Sequence, residues 1–202
     1  MRPRLTERLP AAGSERKPFG RTYPRCFALL REVRLNKTAG INLYSMKHIV
    51  HQIHTLLLKN KQTIAVAESC TGGLISNLLT KLSGSSQYFI LGVVAYSNEA
   101  KKKVLGVPSP LITTRGAVSK VVASSMAGRI RKIAHTDIGI GITGIAGPNA
   151  GTPHKPVGTV FIALDSKKGK ICKKFHFKGT RLCIRKKAAL KSLELLKEML
   201  IK

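Results

Sequence analysis

Short apolar runs that alternate with amphipathic segments constrain the fold of this chain more than any other feature. Runs rich in Val, Ile and Ala stand at 63–67, 91–96, 137–142 and 158–164. Because the middle runs are apolar at consecutive positions, both faces of the strands they form should be buried. The pattern predicts an α/β fold: a single-domain three-layer α/β/α sandwich with a mixed, mostly parallel sheet.

The segments between these runs have the apolar spacing of helices. The predicted helices lie near 49–57 and over 71–82, 98–105, 118–134 and 181–201. Asn98 is the expected N-cap of the third helix, and Pro108 and Pro110 are expected to mark a loop. Residues 170–177 alternate in part as an edge strand does. They follow the preceding strand so closely that part of the sheet should be antiparallel.

Residues 1–45 differ from the rest of the chain. They contain ten Lys or Arg, three Glu and scattered Pro and Gly, with little apolar periodicity, which predicts a basic extension with weak or no stable structure. Three interpretations stay open: translated sequence upstream of a true start at Met46, a basic arm or targeting segment, and a structured cap. The predicted domain then covers 46–202.

The charge of the chain is strongly positive, with 36 Lys and Arg against nine Asp and Glu and a formal net charge of +27. Such an excess attracts anions, from phosphorylated metabolites to nucleic acid, so non-specific nucleic-acid contact is expected. Only six acids follow residue 45. The sequence therefore offers little material for a carboxylate-built metal site or a paired-carboxylate hydrolase.

Hydropathy and cysteine spacing indicate the compartment. No apolar stretch reaches the length of about 18 residues that a transmembrane helix needs, so no membrane partner is predicted. The four cysteines form no Cys-x-x-Cys pair. Their spacing disfavours a zinc ribbon or a disulfide scaffold and favours a reducing, cytoplasmic location.

The first segment suited to chemistry is 68–73, at the predicted junction of a strand and a helix. Ser69 stands where a nucleophile would be exposed near a helix N-terminus, and Gly72 and Gly73 allow close approach of backbone or substrate. The alternative is an ordinary Ser/Thr helix cap with glycines for tight packing.

The second segment, 96–101, lies at another junction of a strand and a helix. Lys101 is a candidate general base if burial or nearby positive charge lowers its pKa, and Tyr96 is a candidate proton relay. Lys102 and Lys103 follow at once, so the alternative is a solvated cationic helix face.

The third segment, 141–148, leaves a buried strand with three glycines and a proline. It lacks the Gly-Lys-Ser/Thr of a Walker A loop, and its glycines do not open a helix as those of a dinucleotide-binding turn do. It is suited to cradle an anion or a sugar. The alternative is a tight crossover loop.

Taken together and in order, these segments resemble the CinA carboxy-terminal domain family. The matching stretches are AESCTGG at 67–73, YSNEAK at 96–101, GAVS at 116–119, GITGIAGP at 141–148 and KPVGTV at 155–160. Many members of that family are nicotinamide mononucleotide deamidases. The resemblance implies an amidohydrolase that uses no metal or cofactor and converts nicotinamide mononucleotide to nicotinic acid mononucleotide and ammonia. It also implies an α/β/α sandwich and a homo-oligomer.

The resemblance also implies roles for individual residues. The family serine, tyrosine and lysine fall on Ser69, Tyr96 and Lys101. Lys101 would accept the Ser69 proton, directly or through Tyr96, and Ser69 would attack the amide carbon. Which of Lys101 and Tyr96 is the direct base stays open. The dense positive charge would keep the proton affinity of Lys101 low.

The substrate would be a phosphorylated nucleotide, and backbone N–H groups of the turn 71–73 would hold the oxyanion. The implied substrate-binding residues are Thr71, Gly72, Gly73, Thr143, Gly144, Gly147 and Arg181.

Two stretches depart from the family pattern. Lys120 and Val121 stand where relatives often have an acid and a proline, and the loop 149–154 lacks the acids common there. Thr180 also replaces the Asp that precedes the family arginine, here Arg181. These changes leave the proposed catalytic residues intact.

Two other functions stay open. One is a catalytically silent module that binds nucleic acid or a protein partner through its basic surface. The other is an amidase that acts on another phosphorylated amide by the same mechanism. The intact set of Ser69, Tyr96 and Lys101 favours an enzyme over the silent module.

Overall fold

The computed structural model describes residues 43–149 and 151–201. The expectations for 1–45 lie outside these residues, apart from 43–45, where the first helix begins. Across the described range, no helix is long and apolar enough to span a bilayer.

Helices and strands alternate through most of the chain, as predicted. The strands are β1 (Ile64–Glu68), β2 (Phe89–Val94), β3 (Ile138–Gly144), β4 (Thr159–Ser166) and β5 (Gly169–His176). The helices are α1 (Leu43–Asn60), α2 (Leu74–Leu79), α3 (Asn98–Lys103), α4 (Ser109–Arg115), α5 (Lys120–Ile133) and α6 (Arg181–Ile201). A short 3-10 helix, Ser85–Gln87, precedes β2.

The five strands form one mixed sheet in the order β2-β1-β3-β4-β5. Strand β1 pairs in parallel with β2 and β3, while β3 with β4 and β4 with β5 pair antiparallel. Only β4 is reversed, so four strands of this sheet run in one direction. The mixed sheet is confirmed, and its antiparallel part begins one strand earlier than the final pair.

Helices cover both faces of the sheet, which confirms the three-layer sandwich. On one face, large side chains such as Ile64, Val66 and Ile140 pack against α1, α2 and α6. On the other face, the smaller Ala65 and Ala67 pack against α4 and α5 with the residues around α3. Burial on both faces explains why β1 is apolar at consecutive positions.

Two local predictions were wrong. Ser97 rather than Asn98 caps α3, because the Ser97 hydroxyl accepts a hydrogen bond from the Ala100 N–H at 3.0 Å. The segment after Pro108 forms α4 rather than a loop. Pro110 lies in the first turn of that helix, where its missing N–H would have had no partner within the helix anyway.

Glycines in β3 allow α5 to pack directly on the sheet. A Cβ atom at Gly139 would lie 2.2 Å from the Ala127 carbonyl oxygen, and one at Gly141 would lie 2.3 Å from the Ala123 carbonyl oxygen. The Gly-Ile-Gly pattern of this strand therefore serves helix–sheet contact.

We expect Gly141→Ala to lower the free energy of unfolding by roughly 2 kcal/mol or more, because helix backbone must move to admit the methyl group. Gly128→Ala, in the facing helix α5, is the control. Its Cβ would meet only the Asp165 carboxylate, at 3.3 Å, and the change should alter stability by less than about 1 kcal/mol. Urea unfolding measures both variants. Equal effects would contradict the close approach of α5 to β3.

Candidate active site

The three proposed catalytic residues follow two neighbouring parallel strands. Ser69 comes directly after β1, Tyr96 follows β2 by two residues, and Lys101 lies in α3. Ligands of open α/β sheets bind at the carboxyl ends of such strands. The topology therefore brings the two separate sequence segments to one edge of the sheet.

Lys101 contacts Ser69 directly inside the protein. The Lys101 side chain is 2% exposed and Ser69 is 7% exposed. Lys101 Nζ lies 3.1 Å from Ser69 Oγ and also donates to the carbonyl oxygens of Ala95 at 2.9 Å and Tyr96 at 3.1 Å. A solvated cationic helix face does not describe this lysine.

Burial lowers the pKa of the Lys101 ammonium below its usual value of 10.5, because the charged form loses its hydration. The neighbouring Cys70 acts in the opposite direction, with a smaller effect than burial. The sequence left burial and nearby positive charge open as causes of a lowered pKa, and the reading from the family resemblance named the dense positive charge. The direction agrees, but the physical cause is desolvation of a single side chain.

Tyr96 lies at the rim of the site rather than between Ser69 and Lys101. Its side chain is 56% exposed. Its hydroxyl accepts a hydrogen bond from Arg181 Nη2 at 2.5 Å, and Arg181 Nη1 donates to the Gly147 carbonyl oxygen at 2.8 Å. The tyrosine side chain is therefore held through Arg181, while its backbone carbonyl holds Lys101.

Glu68 fixes the turn that carries Ser69, a role that sequence reasoning missed. Its fully buried carboxylate accepts hydrogen bonds from the N–H groups of Gly73 at 3.0 Å, Ile75 at 3.2 Å and Ser76 at 2.8 Å. The Ser76 hydroxyl donates a fourth, at 2.7 Å. The carboxylate thus takes the otherwise unpaired N–H groups at the start of α2.

The turn 71–73 is held by hydrogen bonds within the protein and does not line the pocket that opens beside Ser69 and Lys101. Thr71 is buried, and Arg185 donates to its carbonyl oxygen at 2.8 Å. The N–H of Gly72 donates to the Ser69 carbonyl oxygen at 3.1 Å, and that of Gly73 donates to Glu68. These two N–H groups are occupied, so the geometry does not favour them as oxyanion donors.

A pocket of about 380 Å³ opens beside Ser69 and Lys101. Of the substrate-binding residues that the resemblance implies, Thr143, Gly144, Gly147 and Arg181 line it, whereas Thr71, Gly72 and Gly73 do not. The other lining residues are Cys70, Tyr96, Asn98, Gly116, Ala117, Val118, Ile145, Ala146, Asn149 and Lys155. Of the described residues that line the pocket, three are cations and none is a carboxylate.

Gly144, in the segment 141–148, allows neighbouring side chains to pack closely at the wall of the pocket. A Cβ atom at Gly144 would lie 2.7 Å from the Val160 side chain and 3.1 Å from Cys70 Sγ. Thr143 donates its hydroxyl proton to the Ala117 carbonyl oxygen at 3.0 Å. This contact ties β3 to the segment that precedes α5.

A larger cavity of about 460 Å³ lies between the β4–β5 hairpin and α6. Ser166 lines it, but its hydroxyl donates to the Gly169 carbonyl oxygen at 3.0 Å. In the part of the chain that the structure describes, no lysine is hydrogen-bonded to that hydroxyl. We therefore assign the candidate active site to the smaller pocket.

Comparison with known proteins identifies the family of this chain. The sequence model of the CinA C-terminal domain family matches residues 46–200. The chain belongs to the CinA C-terminal domain family. A CinA-like protein of Geobacter metallireducens is 47% identical over 146 residues, which are 72% of this chain and 35% of that protein. The chain spans between 34% and 42% of the length of the curated relatives it matches.

Solved structures of the CinA superfamily have the same fold. The competence/damage inducible protein of Agrobacterium tumefaciens superposes with a TM-score of 0.75 and 34% identity, over 78% of this chain and 96% of that chain. A CinA superfamily protein of Klebsiella pneumoniae gives a TM-score of 0.74 and 29% identity, over 77% of this chain and 98% of that one.

We expect Glu68→Gln to lower the free energy of unfolding of this CinA-family domain by roughly 2–4 kcal/mol. An amide cannot accept all four hydrogen bonds and would place N–H donors against one another. Glu99→Gln is the control, because Glu99 is exposed and, within the described residues, pairs only with Lys102 on the helix surface. It should change stability by less than about 0.5 kcal/mol. Urea unfolding at pH 7 compares them. Similar effects would refute the capping role.

Proposed function

We propose that this CinA-family domain is a metal-independent amidohydrolase that converts nicotinamide mononucleotide to nicotinic acid mononucleotide and ammonia. The observation that carries the proposal is the 3.1 Å contact between Lys101 Nζ and Ser69 Oγ. A buried amine with a lowered pKa is suited to take the proton of an adjacent hydroxyl.

In the proposed reaction, neutral Lys101 Nζ takes the Ser69 proton as Oγ attacks the carboxamide carbon. The protonated Lys101 then gives that proton to the leaving nitrogen, the C–N bond breaks, and ammonia departs. Water next attacks the acyl-enzyme ester, with Lys101 as base, and the Ser69 hydroxyl is restored as the acid product leaves. No cofactor is needed for this balance.

The geometry supports Lys101 rather than Tyr96 as the direct base. Lys101 contacts Ser69, whereas the Tyr96 hydroxyl is engaged by Arg181. Tyr96 and Arg181 would then contact the substrate at the rim of the pocket. The oxyanion would be held by groups other than the N–H groups of Gly72 and Gly73.

Size and charge of the pocket support a phosphorylated substrate. A volume of about 380 Å³ falls within the range of roughly 300–1,000 Å³ typical of small-ligand sites. Lining cations without a lining carboxylate favour an anionic ligand. Another phosphorylated amide would fit the same mechanism. Hydrolysis rates measured with a panel of amides distinguish such a substrate from nicotinamide mononucleotide.

The second candidate is the silent module that binds nucleic acid through a basic surface. Six exposed lysines on and beside the β4–β5 hairpin favour it: Lys167, Lys168, Lys170, Lys173, Lys174 and Lys178. Such binding should weaken steeply with salt, whereas hydrolysis in a pocket should not. Homo-oligomer formation and the cytoplasmic location stay predictions.

We expect Ser69→Ala to reduce ammonia release from nicotinamide mononucleotide by roughly 1,000-fold or more, because the nucleophile is lost. Ser124→Ala, at an exposed serine of α5 outside this pocket, should retain wild-type rates. A coupled ammonia assay on the full chain compares the variants. Full activity in Ser69→Ala would refute the proposed nucleophile.

The pH dependence of kcat/KM tests Lys101. Only the neutral amine can act as base, so activity should rise with pH and level off above the folded-state pKa, with its midpoint below 10.5. Lys101→Arg should be inactive across this range because a guanidinium stays protonated. A flat profile in the wild type, or substantial activity in Lys101→Arg, would exclude this role.

A further inference from the structure

Among the three pocket cations, Lys155 is the least engaged by the protein. Lys101 donates to three oxygen atoms, and Arg181 donates from two nitrogens. Lys155 Nζ donates to one described acceptor, the Arg115 carbonyl oxygen, at 2.9 Å. An ammonium has three donors, so two remain for a ligand in the pocket that this residue lines.

The charge of Lys155 is also uncompensated within the described residues, where no carboxylate lies within 4.0 Å of its ammonium. Among the described residues, four other lysines pair with a Glu or Asp: Lys102, Lys170, Lys173 and Lys191. Lys155 is half-buried as a residue, and its ammonium lies in the lining of the pocket. An anionic ligand in the pocket would offset this charge.

The backbone on both sides holds Lys155 in place. The N–H groups of Thr152 and Lys155 each donate to the carbonyl oxygen of the other, at 3.0 and 3.1 Å, which closes a tight turn. Across the pocket wall, Gly116 has φ +76°, and a Cβ atom there would lie 3.3 Å from Lys155 Nζ. A glycine at this position lets the ammonium lie against the backbone between α4 and α5.

We propose that Lys155 binds the phosphate of the substrate, with Arg181 as the second cation at the rim. Lys155 thereby makes the site selective for phosphorylated amides over their unphosphorylated forms. The identity of the substrate rests on the proposed amidase function, whereas the anion site rests only on the pocket. The competing explanation is that the hydrogen bond from Lys155 to the Arg115 carbonyl oxygen only holds the loop of Lys155 in place.

Lys155→Met separates the two explanations because it keeps an unbranched side chain of similar length and removes the charge. We expect kcat/KM for nicotinamide mononucleotide to fall roughly 10- to 100-fold at fixed ionic strength, with kcat/KM for nicotinamide riboside nearly unchanged. Lys155→Arg should restore most of the loss. Equal losses for both substrates, or no loss, would overturn the proposal.

Lys187→Met is the matched control. Lys187 is also half-buried and also donates to a single backbone carbonyl oxygen, that of Lys178 at 2.8 Å, but it lies outside the pocket. The change removes the same charge from the protein. It should leave the ratio of the two kcat/KM values at the wild-type level, whereas a matching drop would assign the effect to net charge and overturn the proposal.

Equilibrium binding of ribose 5-phosphate keeps the test independent of catalysis. Titration calorimetry should show binding to the wild type and to Ser69→Ala, and roughly 10-fold or greater weakening in Lys155→Met. If no amide is hydrolysed but this weakening is found, the proposed function fails and the anion site stands. Absent binding to the wild type, or equal affinity in Lys155→Met, would overturn the site even if hydrolysis is confirmed.

Discussion

A lysine ammonium buried beside a serine hydroxyl is the interaction on which the rest of the site depends. Removing a charge from water is unfavourable unless hydrogen bonds replace its hydration. Lys101 obtains them from the carbonyl oxygens of Ala95 and Tyr96 and from Ser69 Oγ. The same burial lowers its pKa. Burial of Lys101 is therefore the reason both that it needs these hydrogen bonds and that it is suited to act as a base.

A buried carboxylate supports the other half of the site. Glu68 ends β1, and its four hydrogen bonds fix the turn between Ser69 and α2. The helix start supplies the donors that this anion needs, and the anion supplies the acceptors that the helix start needs. Ser69 is thus held by its own segment, while Lys101 approaches it from α3, which follows the neighbouring strand β2.

The positive charges of the described residues include two separate groups. Lys155 and Arg181 line a pocket without carboxylates among its described residues, which favours a small anionic ligand. The lysines around β5 project from an exposed edge strand, where charge also discourages edge-to-edge pairing. Net charge alone does not distinguish these two groups, because the distinction depends on which cations line the pocket.

The sequence by itself determined the layers and the candidate catalytic residues, because apolar periodicity and residue type are local properties. Alternating runs predicted the covered sheet, and the order of motifs indicated Ser69 and Lys101. Only the tertiary structure decided the cause of the Lys101 pKa shift, the capping by Glu68 and the place of Lys155. Lys155 meets Arg115 across 40 residues of sequence. Such contacts, and burial itself, arise from packing between segments that carry no local signal for one another.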